Sequence, residues 1–431
     1  TMARKMKDSG IEWIGEIPEG WEVAKLKNIV SIVRGGSPRP IEAYMSDNDN
    51  DVNWIRISDT EKGSKYITHT SRKLIASGIS KSRFIKRGSL ILTNSMSFGE
   101  PYILDIDGCI HDGWVAFSDF KKIDKEFLYY FLTSPLAKIQ FEQQVDGGVV
   151  KNLNIDKIGD TVILLPSLID QNKIIAHLDS LTSETNSLLS KTITSIEEYK
   201  KLKQAVITQA VTKGVRGERE MKDSGVEWIG EIPKEWVCEK IKYATSISRG
   251  LFNHRPRNDE RYYNGKYPFI QTGDVANATK YIVSYSQTLN ELGKSVSKEF
   301  PKGTLTMTIA ANVGDVAILN FDAYFPDSVV GFVPNKNIRT LYLFYVFSAM
   351  KDEFIRTAIK STQLNLNIDR VKETFIPVTL NVNEQCEIEN FLESKCAEID
   401  GLIAKKEQLV KELESYKKSL IYEVVTGKRE V

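Results

Sequence analysis

The phrase MKDSGIEWIGEIPEGW occupies Met6–Trp21, and MKDSGVEWIGEIPKEW occupies Met221–Trp236. Thirteen of the sixteen positions are identical, at an offset of 215 residues. The offset persists outward from this phrase. SIVRGG (31–36) matches SISRGL (246–251), Trp54-Ile55 falls on Phe269-Ile270, Asp59 on Asp274, and KYI at 65–67 on KYI at 280–282. Residues 88–117 align with 303–332 without a gap, with 10 identities in 30. Farther on the offset drifts by a few residues: LNID at 153–156 answers 366–369, Gln171 answers Gln385, and YKK at 199–201 answers 416–418. A period this long is too large for a solenoid unit and reads as a tandem duplication of a domain plus a helix.

Each copy opens with short β-type runs broken by Gly, Pro, Asn and Asp, such as GSLILTNS and GTLTMTIA. A helical stretch is expected at 125–145 and at 341–359, and a further strand in 160–166 and in 373–378. Each copy then ends in a long helix. In the first, Ile174, Leu178, Leu181, Leu188, Ile196 and Leu202 fall on 3-4 spacing, with Thr185, Thr192 and Tyr199 on the same stripe. In the second the stripe is Ile388, Leu392, Ile399, Leu402, Leu409, Leu413 and Leu420. Sustained spacing of this kind with charged flanks predicts that the two helices pair as a coiled coil. A helix over 171–212 has 42 residues and a length of about 60 Å at 1.5 Å per residue. The glycines of TKGVRGERE (212–220) end it and begin the second copy. The expected domains are 1–168 and 215–382, with the central helix at 169–214 and the distal helix at 383–431. The fold class is α+β: two tandem α/β domains joined by two long antiparallel helices, with a pseudo-two-fold internal repeat.

The shared residues of 88–117 and 303–332 are scaffold types: Gly88, Leu90, Thr93, Gly99, Ile103, Leu104, Asp107, Asp112, Val115 and Phe117. Between Thr93 and Gly99 one copy reads NSMSF and the other IAANV. RGGSPRP (34–40) likewise faces RGLFNHRP (249–256). Packing explains a constant scaffold, and different loops on it point to two different things being read. The loops suit nucleic acid. Arginine forks guanine, Asn and Gln pair with adenine, and glycine lets backbone approach phosphate. The candidates in the first copy are Arg34, Ser37, Arg39, Arg83, Lys86, Asn94, Ser95, Ser97 and Lys151. In the second they are Arg249, Asn253, His254, Arg255, Arg257, Asn312, Thr362 and Gln363.

The bulk numbers narrow the rest. Hydrophobic residues make up 41% of the 431 and charged residues 27%, as in an ordinary globular protein. No apolar run approaches 18 residues, so no membrane span is expected, and TMARK has no apolar stretch behind it to make a signal peptide. The four cysteines show no CxxC spacing, so a zinc site is not expected and reduced thiols in a cytoplasm are. The net charge of +1 argues against a general nucleic-acid coat but leaves room for local basic loops. The sequence has no GxxxxGK[ST] loop, no methyltransferase motif pair and no nuclease acid–lysine set. His111 maps onto Pro326 and so cannot be a base common to both copies, and Asp107 and Asp112, which recur at 322 and 327, read as turn residues.

The layout resembles the specificity subunit of Type I restriction-modification systems over essentially the full length. The features that carry the resemblance are the MKDSGxEWIGEIPxxW opener of each half and the LP…DQxxI and NEQxxI starts of the long helices. Paired YKK helix ends, followed by VTKG and VTGK, complete it. The resemblance implies a non-catalytic chain that binds a bipartite, asymmetric site in double-stranded DNA, one half per target recognition domain. It also implies two modification subunits docked on it, with restriction subunits joined through them and no membrane. No cofactor is then expected on this chain; S-adenosylmethionine, ATP and Mg belong to the partners. Trp13, Ile14, Trp228 and Ile229 are the expected partner contacts, with Trp21 and Trp236 packing inside their own domains. Two other classes stay open: a protein-binding adaptor with twin domains on a coiled-coil spacer, and a self-contained enzyme.

Overall fold

The computed structural model describes residues 4–61, 63–95, 98–144, 153–360 and 364–431. The chain divides into two compact units, residues 1–193 with 407–431, and residues 194–406.

In the first unit the opener forms a hairpin of Met6–Asp8 with Glu16–Pro18. A five-stranded sheet follows in the order Ser31–Arg34, Trp114–Ser118, Leu90–Thr93, Pro101–Leu104 and Tyr66–Ile67; only the last pair is parallel. A second sheet has the order Met45–Ser46, Lys73–Leu74, Val52–Ile55, Gly108–Ile110 and Arg83–Ile85. The second unit repeats this. Its opener hairpin is Met221–Asp223 with Glu231–Pro233. Its large sheet runs Thr245–Arg249, Val329–Pro334, Leu305–Thr308, Val316–Leu319 and Tyr281–Ile282, again with one parallel pair at the edge.

Buried residues explain why the opener is so alike in the two copies. Ile17 and Trp21 are fully enclosed, as are Ile232 and Trp236. Arg4 lies 5.4 Å over the Trp21 ring and Arg219 5.4 Å over Trp236, a contact that is attractive because the ring face is electron-rich. The copies then part. Trp236 Nε1 donates to Glu384 at 3.1 Å, and Glu384 is itself held by Arg219 at 2.6 Å. Asp170 stands at the corresponding place but bonds Ser167 at 2.9 Å, and Trp21 Nε1 has no partner among the described residues. The carboxylate, one methylene shorter, stays at its own helix start.

The expected helix at 125–145 is two, Lys125–Thr133 and Pro135–Gln144. Ser134 is extended (φ −67°, ψ 152°) because the following proline disfavours a helical conformation there. The stretch at 341–359 also divides, into Thr340–Ala349 and Lys351–Thr357.

The long helices are Leu168–Lys213 and Val382–Val425. The glutamine near each start explains the DQ and NEQ phrases. Gln171 Oε1 accepts the Asp124 amide at 2.7 Å, and its Nε2 donates to the carbonyls of Lys122 at 2.9 Å and Pro166 at 3.0 Å. Gln385 does the same with the Arg339 amide (2.8 Å) and the carbonyls of Asn337 (2.8 Å) and Thr379 (2.7 Å). Both side chains are buried and every strong group is satisfied. Inside each unit a segment of one long helix contacts a segment of the other. In the first, Lys417 Nζ bonds Asn186 at 2.7 Å; in the second, Lys203 Nζ bonds Asp400 at 2.7 Å.

The expected seam needs correction. Ile174, Leu178, Ile196, Ile388, Leu392, Ile399 and Leu420 are buried, and Leu181, Leu402 and Leu413 are half-buried, but Leu188, Leu202 and Leu409 are exposed. The heptad reading advances 3.5 residues per turn, whereas an α-helix advances about 3.6. A straighter helix rotates a strict heptad off its inner face within a few turns. Thr182, Thr185 and Thr192 fill the gaps, each returning its hydroxyl to the carbonyl four residues back at 2.6–2.7 Å. That bond is what allows a polar side chain to be buried there.

Candidate nucleic-acid interface

In the first unit the strand Ser31–Arg34 ends beside the turn at residues 111–113. Gly35 donates its amide to the Trp114 carbonyl at 2.9 Å, and a Cβ on Gly35 would overlap the His111 carbonyl oxygen. Only glycine lets the two backbones pass so closely. That passage sets Arg34 against Asp112. Arg34 Nε donates to the Asp112 carbonyl at 2.9 Å, and its two Nη groups make no hydrogen bond among the described residues. Ser37 Oγ donates to the Asp112 carboxylate at 2.7 Å, and Arg39 lies 3.9 Å from it with its side chain 85% exposed. The Ser37 hydroxyl, first, then the nearby positive groups hold the Asp112 carboxyl below its ordinary value. Arg83 Nε donates to the Arg34 carbonyl at 3.4 Å, so it joins the group. His111 is the turn-former: burial lowers its pKa and its Nδ1 accepts the Gly113 amide at 2.8 Å.

The second unit builds the same device. A Cβ on Gly250 would overlap the Pro326 carbonyl oxygen. Arg249 Nε donates to the Asp327 carbonyl at 2.6 Å and leaves both Nη groups free among the described residues. Arg257 donates to the Asp327 carboxylate, and Arg255 lies 3.7 Å from it. In both copies, therefore, an arginine at a strand end is gripped by its Nε, which fixes the plane of the guanidinium and presents its outer edge. The exposed ion pairs around it are worth about 0–1 kcal/mol each, so the arginines are not committed to holding the fold.

The other expected residues divide. Ser95 sits by Gly113, whose added Cβ would lie 2.8 Å from its hydroxyl. Asn94 is only 2% exposed, its backbone tied to Gly113 and Leu153. Its amide oxygen is buried without a partner among the described residues, beside a cavity of about 240 Å³ shared with Arg34 and 153–156. Asn253 gives its amide to Val296 at 3.1 Å. His254 stacks on Tyr262 at 3.9 Å and pairs with Asp259 at 3.0 Å. Lys86 is exposed at the far end of the strand that Arg83 begins, and Asn312 is exposed on its own loop. Ser97, Lys151, Thr362 and Gln363 lie outside the described residues.

Of the expected partner contacts, Ile14 and Ile229 are core residues, each 4% exposed. The hairpin turns them inward because the neighbouring strand already points Ile17 and Ile232 to the same core. Trp13 is 47% exposed. Trp228 is half-buried, its Nε1 without a partner among the described residues, at the rim of a cavity of about 440 Å³ lined by Glu353, Arg370 and Phe375. Sequence reasoning missed Asp112 and Asp327 as arginine holders, although their recurrence was in view.

Among the described residues no group of three or more His, Cys, Asp or Glu could hold a metal ion, and no helix is long and apolar enough to cross a membrane.

Duplicated mixed-sheet domains, each carrying its own share of two long helices, define the architecture. The chain belongs to the family described as the Type I restriction modification DNA specificity domain, whose model matches residues 18–198 and 247–412. Over its length it is similar to two specificity subunits of Methanocaldococcus jannaschii. The MjaVIII subunit is 23% identical over 96% of this chain and 93% of its own, and the putative MjaX subunit 25% identical over 96% and 95%. Among solved structures, a chain from work on complex assembly and conformational transition of the type I R-M system superposes with a TM-score of 0.74 at 16% identity, covering 96% of this chain and 99% of that one. The HsdS subunit from Thermoanaerobacter tengcongensis gives 0.50 at 16% identity, covering 96% and 98%. The likeness of fold is therefore kept where four residues in five differ.

Proposed function

We propose that this specificity chain reads a bipartite, asymmetric site in double-stranded DNA, one half with the loops around Arg34 and the other with those around Arg249. The observation that carries this is the twinned arginine–aspartate turn on one scaffold, with unlike loops beside it. An arginine held by its Nε matches the two acceptors of guanine in the major groove. The chain itself does no chemistry. Two modification subunits dock on its two halves, Trp13 and Trp228 being the candidate contacts, and the restriction subunits join through them. S-adenosylmethionine, ATP and Mg act on those partners, in the cytoplasm. The long helices work as an antiparallel coiled coil that sets the register between the two readers; the Lys417–Asn186 and Lys203–Asp400 contacts support that pairing.

The test is modularity. Replacing residues 22–165 with the equivalent segment of another such subunit should change one half of the methylated site and leave the other half intact, as read by methylation-site sequencing. A change in both halves, or DNA binding without a salt dependence, contradicts the reading, since phosphate contacts release counterions; the second result would favour a protein-binding adaptor.

A further inference from the structure

Four aspartates recur at the same offset, Asp107 with Asp322 and Asp112 with Asp327. The first pair are turn residues: Asp107 accepts the Arg87 amide at 2.6 Å and Asp322 the Lys302 amide at 2.7 Å. The second pair face side chains. Asp112 takes Arg34 on its carbonyl and Ser37 on its carboxylate, with Arg39 close by. Asp327 takes Arg249 on its carbonyl and Arg257 on its carboxylate, with Arg255 close by.

We propose that the carboxylates of Asp112 and Asp327 are positioning groups that aim the loop arginines at the DNA and hold down sequence-blind binding. This rests on the interface reading above. A free arginine loses much rotamer freedom when it docks. A carboxylate on one edge of the guanidinium fixes its plane and leaves other N–H donors for a base. The same carboxylate cancels one positive charge at the surface and so weakens the pull of phosphates, which carries no sequence information. Neutralising it therefore pushes the two kinds of binding in opposite directions. Asp327 meets two guanidiniums and Asp112 one, at the longer distance, so the second unit should show the larger effect.

The experiment uses Asp112→Asn and Asp327→Asn in the full chain assembled with its modification subunits. The probes are a pool of randomised duplexes, selected and sequenced, and one unselected duplex titrated with salt. Each variant should blur only one half-site and lower affinity for the selected duplex by about tenfold, the scale of one lost base fork. Affinity for the unselected duplex should hold or rise. In an Arg39→Ala background Asp112→Asn should add no further loss on the selected duplex, and likewise Asp327→Asn in Arg255→Ala/Arg257→Ala. A gain on both duplexes would show the aspartates to be mere repulsive charges. Equal losses with the arginines absent would show a structural role only. Thermal melts report folding; if Asp112→Asn melts early, Asp327→Asn carries the test alone, and no shift in its selectivity overturns the proposal. If Arg34→Ala and Arg249→Ala change neither affinity nor salt slope, the interface reading itself falls, a result separable from these.

Discussion

At the scale of single residues, the arginines and the glycines after them act as one unit. Arg34→Ala and Arg249→Ala should each cost about 1–3 kcal/mol of specific binding if the arginine forks a base, or lower the salt slope by about one if it meets a phosphate. Filter binding across a salt series separates these outcomes. Gly35→Ala and Gly250→Ala should push the loop off the facing carbonyl. We expect each to lower the melting temperature and to reproduce part of the corresponding arginine loss, because the strand end can no longer lie against the turn. The arginines and glycines were legible as loop chemistry in the sequence. The role of Asp112 and Asp327 was not, since an aspartate in a turn has the same local signature whether it caps a backbone or holds a side chain.

Among elements, the pairing of Glu22–Lys25 with Val162–Leu165, and of Val237–Lys240 with Phe375–Val378, closes each domain onto its long helix. Each pair is pinned by one acid and two lysines: Asp160 with Lys25 and Lys27, both at 2.9 Å, and Glu373 with Lys240 (2.7 Å) and Lys242 (2.5 Å). The lysines hold both carboxyls down, to about 2. A depressed carboxyl stabilises the fold above its unfolded pKa, and that contribution is lost as pH falls through the folded one. Thermal melts should therefore fall more steeply between about pH 4.5 and pH 2 in the parent than in Asp160→Asn or Glu373→Gln; parallel curves would refute it. At the helix starts, Gln171→Leu and Gln385→Leu should each cost about 1–3 kcal/mol, because a buried amide and two carbonyls lose their partner. Equilibrium unfolding in denaturant measures it. The heptad reading failed at Leu188, Leu202 and Leu409 for an element-scale reason: apolar spacing fixes which residues share a stripe, while the helix's own pitch decides where that stripe turns to solvent.

For the molecule as a whole, the two cores share an exchange of helix ends. Ile421, Val424 and Val425 of the second long helix pack in the first unit's core, and Ile207, Ala210 and Val211 of the first long helix pack in the second's. These triplets correspond at a constant offset of 214. A chain ending near Gly217 loses the first triplet but keeps the second, which fits the same seat. We expect such a half-chain to form a dimer, each copy lending its helix end to the other, since two-fold pairing is the commonest closed arrangement. The methylated site should then become palindromic. Sedimentation with methylation-site mapping checks both; a soluble monomer, or an active half-chain that keeps the asymmetric parental site, would refute it.

By itself the sequence determined the duplication, the long helices and the family, because these depend on patterns repeated along the chain and on local preferences that survive in both copies. Tertiary structure decided which side of the hairpin Ile14 and Ile229 face, which leucines leave the helix stripe, how Asn94 and His254 are held, and that a recurring aspartate meets the arginines of a loop distant in sequence. The aspartate contacts and the burial of Asn94 turn on residues tens of positions apart, where burial and hydrogen-bond satisfaction override what any local window of sequence prefers.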